Sequence, residues 1–206
     1  MTASAFSSFG ADPIVELSRW IEDARSTPLL EPGAMVLATA SADGMPSARV
    51  DLYKGMDEGG ILFFTNYQSK KGKELLENPR ASLDFHCDPL RRQVRLSGRV
   101  EKTSVEVSDR YWQTRPRESQ IGALASHQSE ELSSYEELES RVEELTRRFV
   151  GKPIPRPANW GGFRLLPSRI EFWSARSGRL HERLAYDWIA DAAGTAGSWR
   201  RFYLNP

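Results

Sequence analysis

Cysteine is the scarcest resource in this chain: Cys87 is the single one. That excludes an intrachain disulfide framework and fits a reducing compartment. No apolar run approaches the roughly 20 residues of a membrane span. The start lacks a basic region followed by an apolar core, so no signal peptide is expected. An excess of one charge sign is also missing, since Lys+Arg and Asp+Glu are both 28. Nucleic-acid binders are more often globally basic, so this balance argues against that class, and any basic cluster must be local. His86, His127 and His181 lie far apart without ligand spacing, so no metal site is expected. Gly-rich phosphate loops of the dinucleotide or P-loop type are absent, as is a Gly-x-Ser-x-Gly elbow. The expectation is a cytoplasmic protein with no membrane or nucleic-acid partner.

What is present suffices for one substantial core: 206 residues, 39% of them hydrophobic and 10% aromatic. Residues 1–12 are small and polar and read as a mobile segment. Residues 13–206 read as a single domain. Ile14, Leu17, Trp20 and Ile21 recur at helical spacing to about Arg25. Short β-rich segments follow at Met35–Thr39, Ser47–Lys54, Ile61–Thr65, Ala81–Cys87 and Gln93–Val100. Asp43-Gly44 and Glu58-Gly59-Gly60 supply hairpin-type turns. Further strands are expected at Gly162–Leu166, Arg169–Ser174, Leu180–Tyr186 and Trp199–Leu204. Helices are expected from Ser69 to Glu77, from the capping box Thr103-x-x-Glu106 to Thr114, and from Ser134-x-x-Glu137 to Phe149. Pro153, Pro155 and Pro157 form a stiff connector. The fold class is therefore mainly β with α, an antiparallel barrel or sandwich with peripheral helices.

Three clusters could bind anions. On a strand, Arg179, His181 and Arg183 share one face while Leu180 and Leu184 face a core. Two guanidiniums and an imidazole repel one another unless an anion or carboxylate sits among them. A solvated edge strand would suit the same residues. Ser69 is a good helix N-cap, which puts Lys70, Lys71 and Lys73 in a first turn. The helix dipole there disfavours cations by about 0.3–1 kcal/mol each. A docked phosphate would reverse that, taking the free N–H groups and the lysines together; an ordinary basic surface turn remains open. Tyr111 and Arg115, four apart on a helix, share a face, with Arg117, Ser119 and Gln120 just beyond its end. A phenol, a guanidinium and a hydroxyl in that order can hold a phosphate, and a basic helix end would look the same. Arg49, Asp51 and Tyr53 share one strand face and Lys54 takes the other. His86 and Cys87 alternate to opposite faces. Gln93 and the Gln128-Ser129 loop carry no signal of their own.

Together these segments resemble the pyridoxine/pyridoxamine 5′-phosphate oxidase family from about Pro13 to Pro206. The resemblance rests on Arg49…Lys54, Phe64-Thr65-Asn66, Ser69-Lys70-Lys71-Gly72, Asn78-Pro79-Arg80, Arg92-Gln93-Val94, Arg115-Pro116-Arg117-x-Ser119-Gln120-Ile121-Gly122, Gln128-Ser129, Trp160-Gly161-Gly162, Ile170-Glu171-Phe172-Trp173 and Arg179-Leu180-His181-x-Arg183. It implies a Greek-key-like FMN-binding split barrel, working as a homodimer with FMN at the subunit interface. It implies that Arg49, Val50, Phe64, Thr65, Lys70, Lys71, Gln93, Gln128, Ser129, Trp173 and Arg183 hold FMN, some from the second subunit. Lys54, Tyr111, Arg115 and Ser119 would grip the phosphate of a small phosphorylated substrate. Arg179 and His181 would lie over its ring as the residues nearest the chemistry. The implied reaction forms pyridoxal 5′-phosphate by hydride transfer to flavin N5, with O2 reoxidising the flavin to give hydrogen peroxide.

The chain departs from the family pattern at several points. Met1–Ala11 lacks Arg, Lys and Tyr, Asp51 and Tyr53 stand where aliphatic residues are usual, Phe64 replaces a common Tyr and Lys70 a common Arg. Phe85-His86-Cys87-Asp88 replaces an aromatic, Trp-containing stretch. FMN oxidases of natural-product pathways, such as phenazine formation on aromatic acids, share the short N-terminus and the Arg-Leu-His-like segment. They typically lack the counterparts of Lys54 and of Arg115…Ser119. A non-enzymatic flavin or haem carrier on the same barrel would not need that second phosphate site.

Overall fold

Alternation of apolar and polar residues builds the sheet. In β5 (Arg80–Cys87), Ala81, Leu83, Phe85 and Cys87 are buried while Arg80, Ser82 and His86 face solvent. The computed structural model describes residues 4–191 and 196–206. Its other strands are β1 (Ala34–Ala40), β2 (Pro46–Leu52), β3 (Met56–Asp57), β4 (Gly60–Asn66), β6 (Arg92–Lys102), β7 (Trp160–Ser174), β8 (Glu182–Ala190) and β9 (Gly197–Leu204). The helices are α1 (Pro13–Arg25), α2 (Lys70–Glu77), α3 (Val105–Thr114), α4 (Arg117–Ala125) and α5 (Tyr135–Arg148). All strand pairings are antiparallel, in the order β2-β1-β5-β6-β7-β4-β3, with β8 on β7 and β9 on β8. β4 returns to lie beside β7, next to the consecutive β5-β6-β7, a Greek-key arrangement. The far edge curls back toward β4: Lys54 N–H donates to Leu62 C=O, and Leu62 N–H to Gly55 C=O, each at 2.9 Å.

β7 organises the molecule. One of its edges pairs with β6 from Phe163 to Ser174; along the other, Trp160–Leu165 pair with β4 and Arg169–Ser174 with β8. The sequence reading split this strand in two around Pro167. The strand instead runs through, because the register shifts at Ser97/Gly98 and the proline, which has no N–H to offer, sits at that irregularity. Gly98 is required there, since a Cβ would lie 2.0 Å from the Leu166 carbonyl oxygen.

The helix starts follow their caps. Ser69 Oγ accepts from Gly72 N–H and Ser134 Oγ from Glu137 N–H, both as expected. The third start moves by one residue. Thr103 N–H is still bonded to Gly162 C=O, so Ser104 caps α3 through Val107 N–H. A further helix, α4, holds Arg117, Ser119 and Gln120, where the sequence suggested a tail beyond α3. Pro116 explains it: the residue before a proline avoids the helical region, and Arg115 is extended at φ −72, ψ 141. The two-residue strand β3 was too short to read from sequence.

Two more expectations change. Residues 4–11 lie against the domain, with Phe6 fully buried and Phe9 nearly so; residues 1–3 of the expected mobile segment lie outside the described residues. Both phenylalanines join the main core around Leu17, Trp20 and Phe172. Arg179, His181 and Arg183 do not share a strand face. Gly178 and Arg179 take left-handed backbone, at φ 64 and 59, inside a 3-10 turn, and β8 begins only at Glu182. Leu180, read as core-facing, is 70% exposed, whereas Leu184 is buried. Among the described residues, no helix is long and apolar enough to cross a membrane.

Candidate active site

A cleft of about 820 Å³ opens between the end of β2, the end of β4, the start of α2 and the α3–α4 corner. It gathers Val50, Lys54, Phe64, Thr65, Lys71, Tyr111, Arg115, Ser119 and Gln128 from the sequence-selected residues. Strand geometry delivers Phe64 and Thr65, which pair with Gly162 and Gly161 of β7. The close seat of α2 on β4 delivers Lys71. A Cβ on Gly72 would meet the carbonyl oxygens of Tyr67 and Asn66 at 2.4 and 2.7 Å, so only glycine lets this helix start so near the strand end. Lys54 enters the cleft because β2 ends at Leu52 and the chain turns at Gly55, φ 107.

One wall is an aromatic slab. Phe64 stacks on Tyr111 with ring centroids 3.9 Å apart, and Trp160 lies nearly parallel to both. Behind it, the Arg115 guanidinium lies 4.6 Å from the Trp160 ring centroid and 5.1 Å from that of Trp112. Trp112 Nε1 donates to Ile154 C=O, in the proline-rich connector, at 2.9 Å. Arg115 Nη1 is buried without a hydrogen-bond partner among the described residues. Burial pulls the Arg115 pKa below its ordinary value, and Tyr111 partly opposes this. An arginine so placed still keeps its charge. Arg115 is half-buried and lines the cleft without an ion-pair partner among the described residues, which suits an anionic ligand.

The opposite wall carries Lys71, whose Nζ is 2.6 Å from Asp51 Oδ2, and Thr65, whose hydroxyl donates to Gln128 Oε1 at 3.1 Å. Cations at two places and a flat aromatic wall between strand ends fit an aromatic group bearing a phosphate. FMN is such a group, and the donor set accommodates it.

The remaining selected residues lie elsewhere in the chain. Arg49 sits behind the cleft, donating to Leu37 C=O, Thr39 Oγ1 and Ser47 Oγ, with Glu74 at 3.3 Å. Lys70 is mostly exposed, 4.0 Å from Glu74. Ser129 occupies a turn at φ 72. Gln93, Trp173 and Arg183 form a row across β6, β7 and β8, in register with one another. Gln93 Nε2 donates to Asp84 Oδ2 at 2.9 Å, and the His181 ring lies 4.7 Å from that of Trp173. Arg179 is exposed in the turn before β8.

Sequence reading missed the carboxylates that orient these cations. Glu171 is buried between Arg183 Nε at 2.8 Å and Arg95 Nη2 at 2.5 Å. Burial alone would raise its pKa, but the hydrogen bonds from Arg183 and Arg95 hold it below the usual carboxylate range. Glu74 behaves alike, with Ser47, Thr39 and Arg49 outweighing burial. A depressed folded-state pKa stabilises fully above the unfolded value of about 4.3 and is lost as pH falls through the lower folded value. Glu171→Gln should therefore cost about 1–2 kcal/mol at neutral pH, discounted for the half-exposed Arg95, and shrink toward zero in acid. Urea unfolding of both proteins at pH 7 and pH 3 checks this; an equal difference at both would remove the carboxylate from the acid response.

Comparison with known proteins agrees with this geometry. Residues 21–149 match the family model "Pyridoxamine 5'-phosphate oxidase", and residues 160–206 match "Pyridoxine 5'-phosphate oxidase C-terminal dimerisation region". A pyridoxine/pyridoxamine 5′-phosphate oxidase of Rubrobacter xylanophilus is 53% identical over 195 residues, covering 95% of this chain and 87% of the relative. One of Cupriavidus pinatubonensis is 50% identical over 200 residues, covering 97% and 92%. Among solved structures, PhzG from Burkholderia lata, in complex with tetrahydrophenazine-1-carboxylic acid, superposes with a TM-score of 0.90 at 34% identity, covering 100% of this chain and 98% of its own. A pyridoxamine 5′-phosphate oxidase-related, FMN-binding protein of Nostoc punctiforme shares the fold, with a TM-score of 0.72 at 17% identity over the whole of both chains. The cleft, the sheet that frames it and the match along nearly the whole chain place this protein in the pyridoxamine 5′-phosphate oxidase family.

Proposed function

We propose that this protein is an FMN-dependent oxidase that converts pyridoxine or pyridoxamine 5′-phosphate to pyridoxal 5′-phosphate. The observation that carries this reading is Arg115, a cation without an ion-pair partner among the described residues, lining the same cleft as Lys54 and Ser119 and as the separate cation Lys71. One phosphate-bearing ligand would need one such place; a phosphorylated cofactor together with a phosphorylated substrate needs two. Lys71, Thr65 and Gln128 are assigned to FMN, with Arg49 and Lys70 adding positive charge at its phosphate end. Lys54, Tyr111, Arg115 and Ser119 are assigned to the substrate phosphate.

Bound FMN supplies the redox chemistry, accepting hydride from the substrate carbon that bears the amine or alcohol, with O2 as final acceptor and hydrogen peroxide as product. The side chains bind, orient and exclude water. Arg179 and His181 fix the reacting carbon, which is a positioning role. They lie with Gln93, Trp173 and Arg183 outside the cleft of their own chain. The reading therefore has them, together with Ser129, complete the cleft of a second protomer, with FMN at the dimer interface. The C-terminal dimerisation match covers residues 160–206, which include Trp173, Arg179, His181 and Arg183 of that group. The buried, lone Cys87 suits a cytoplasmic setting.

The likeness to PhzG favours a second reading, oxidation of an aromatic carboxylic acid. Oxygen consumption by the purified yellow protein separates the two. Turnover of pyridoxine or pyridoxamine 5′-phosphate, with aromatic acids inert, is expected. Turnover of the acids alone would replace the B6 assignment and leave the flavin one standing.

A further inference from the structure

The cleft holds a carboxylate where an anion-binding site has no evident need of one. Asp51 Oδ2 is 2.6 Å from Lys71 Nζ, and the two side chains are only 11% and 12% exposed. The other oxygen, Oδ1, accepts the Leu52 N–H at 2.9 Å, so the carboxylate is anchored at both ends. β2 places it: Asp51 pairs with Met35 of β1, on the strand that ends in the cleft. Among the described residues, neither Lys54 nor Arg115 forms an ion pair, and although Glu31 also lines the cleft, Asp51 is the carboxylate paired with a cleft cation, Lys71. An aliphatic residue at position 51 would leave a nearly buried ammonium unpaired.

We propose that Asp51 is an internal competitor for Lys71, a specificity-determining residue that loosens this protein's hold on the cofactor phosphate. This rests on the reading of the cleft as the FMN site. The sign follows from elementary electrostatics. Without a cofactor, Asp51 satisfies Lys71 and keeps the cleft stable. A phosphate that approaches Lys71 meets a fixed negative charge beside it, and at short range in a partly dehydrated cleft that repulsion is substantial. The effect acts on the phosphate charge, so a flavin without a phosphate should not sense it.

Asp51→Asn keeps the shape and an oxygen to accept from Lys71 while removing the charge; Asp51→Val is the second variant. Full-length protein is titrated with FMN and, separately, with riboflavin, following the quenching of flavin fluorescence. Both variants should bind FMN about tenfold more tightly than wild type at low ionic strength. The gain should shrink in strong salt, and riboflavin affinity should stay within about twofold. Saturating FMN should also raise the melting temperature more in the variants than in wild type. Weaker FMN binding in both variants would overturn the proposal and make Asp51 a support for Lys71. Equal changes for FMN and riboflavin would also overturn it, since they would mean a change of pocket shape. A wild-type protein that binds neither flavin would overturn the reading of the cleft itself.

Discussion

Replacing Arg115 by alanine should lower kcat/KM for a B6 phosphate by about two to three orders of magnitude, mostly through KM, while FMN stays bound. Loss of one partner from a desolvated, hydrogen-bonded charge pair costs about 2–5 kcal/mol, and each 1.4 kcal/mol is tenfold. Arg115 sits in the middle of that range, above its lower end, for two reasons. Its guanidinium packs against the indoles of Trp112 and Trp160, so it is orientated before any ligand arrives. It forms no ion pair among the described residues, so a phosphate bound in the cleft displaces no carboxylate from it. Arg115→Lys should recover only part of the loss, because an ammonium cannot reproduce the planar, stacked geometry. Steady-state kinetics with the flavin absorbance recorded alongside checks this. A KM within threefold of wild type would take Arg115 out of the substrate site, and a colourless protein would assign it to the cofactor.

The second large effect is on stability and lies far from the cleft. Phe6→Ala should destabilise the protein by about 3–5 kcal/mol, the usual range for removing a buried aromatic ring. Phe6 is fully buried, 5.1 Å from the Phe9 ring and 6.0 Å from Trp20, and Phe9 and Trp20 both stand edge-on to Phe172 of β7. The segment thus seals one end of the main core. Denaturant unfolding measures the loss, with the exposed Val15→Ala as a control expected within about 0.5 kcal/mol of wild type. A change below about 1 kcal/mol would mean that the segment packs without contributing.

The sequence showed most of the architecture because it is written in local rules. Ser69 and Ser134 cap where serine should, and β5 alternates residue by residue. Failures came where long-range contacts override local ones. Thr103 looks like a cap until β7 claims its N–H. Pro167 looks like a break until a register shift in β6 absorbs it. Arg179 looks like a strand residue because nothing in an arginine announces positive φ; Gly178 was the available clue. Phe6 and Phe9 stood among small polar residues, too few to show any period. Alternation assigned a face to Lys54, and helical spacing one to Tyr111 and Arg115, but neither could say that these faces meet. The family resemblance supplied that grouping. It did not supply the ion pairs of Asp51, Glu74 and Glu171, whose meaning lies in their partners.

The seal formed by residues 5–10 closes on groups made very late. The Ala5 N–H donates to Glu182, the Gly10 carbonyl accepts from Tyr186 Oη, and the Phe6 and Phe9 carbonyls accept from Arg201. These partners stand 176 to 195 residues further along the chain. A ribosome therefore releases the two phenylalanines long before the groups exist that bond their carbonyls or receive Phe9 against Phe172. Closure of this seal must wait for β8 and β9, which supply those partners. Until then the nascent chain displays a pair of aromatic rings, a natural hold for a chaperone and a weak point for aggregation.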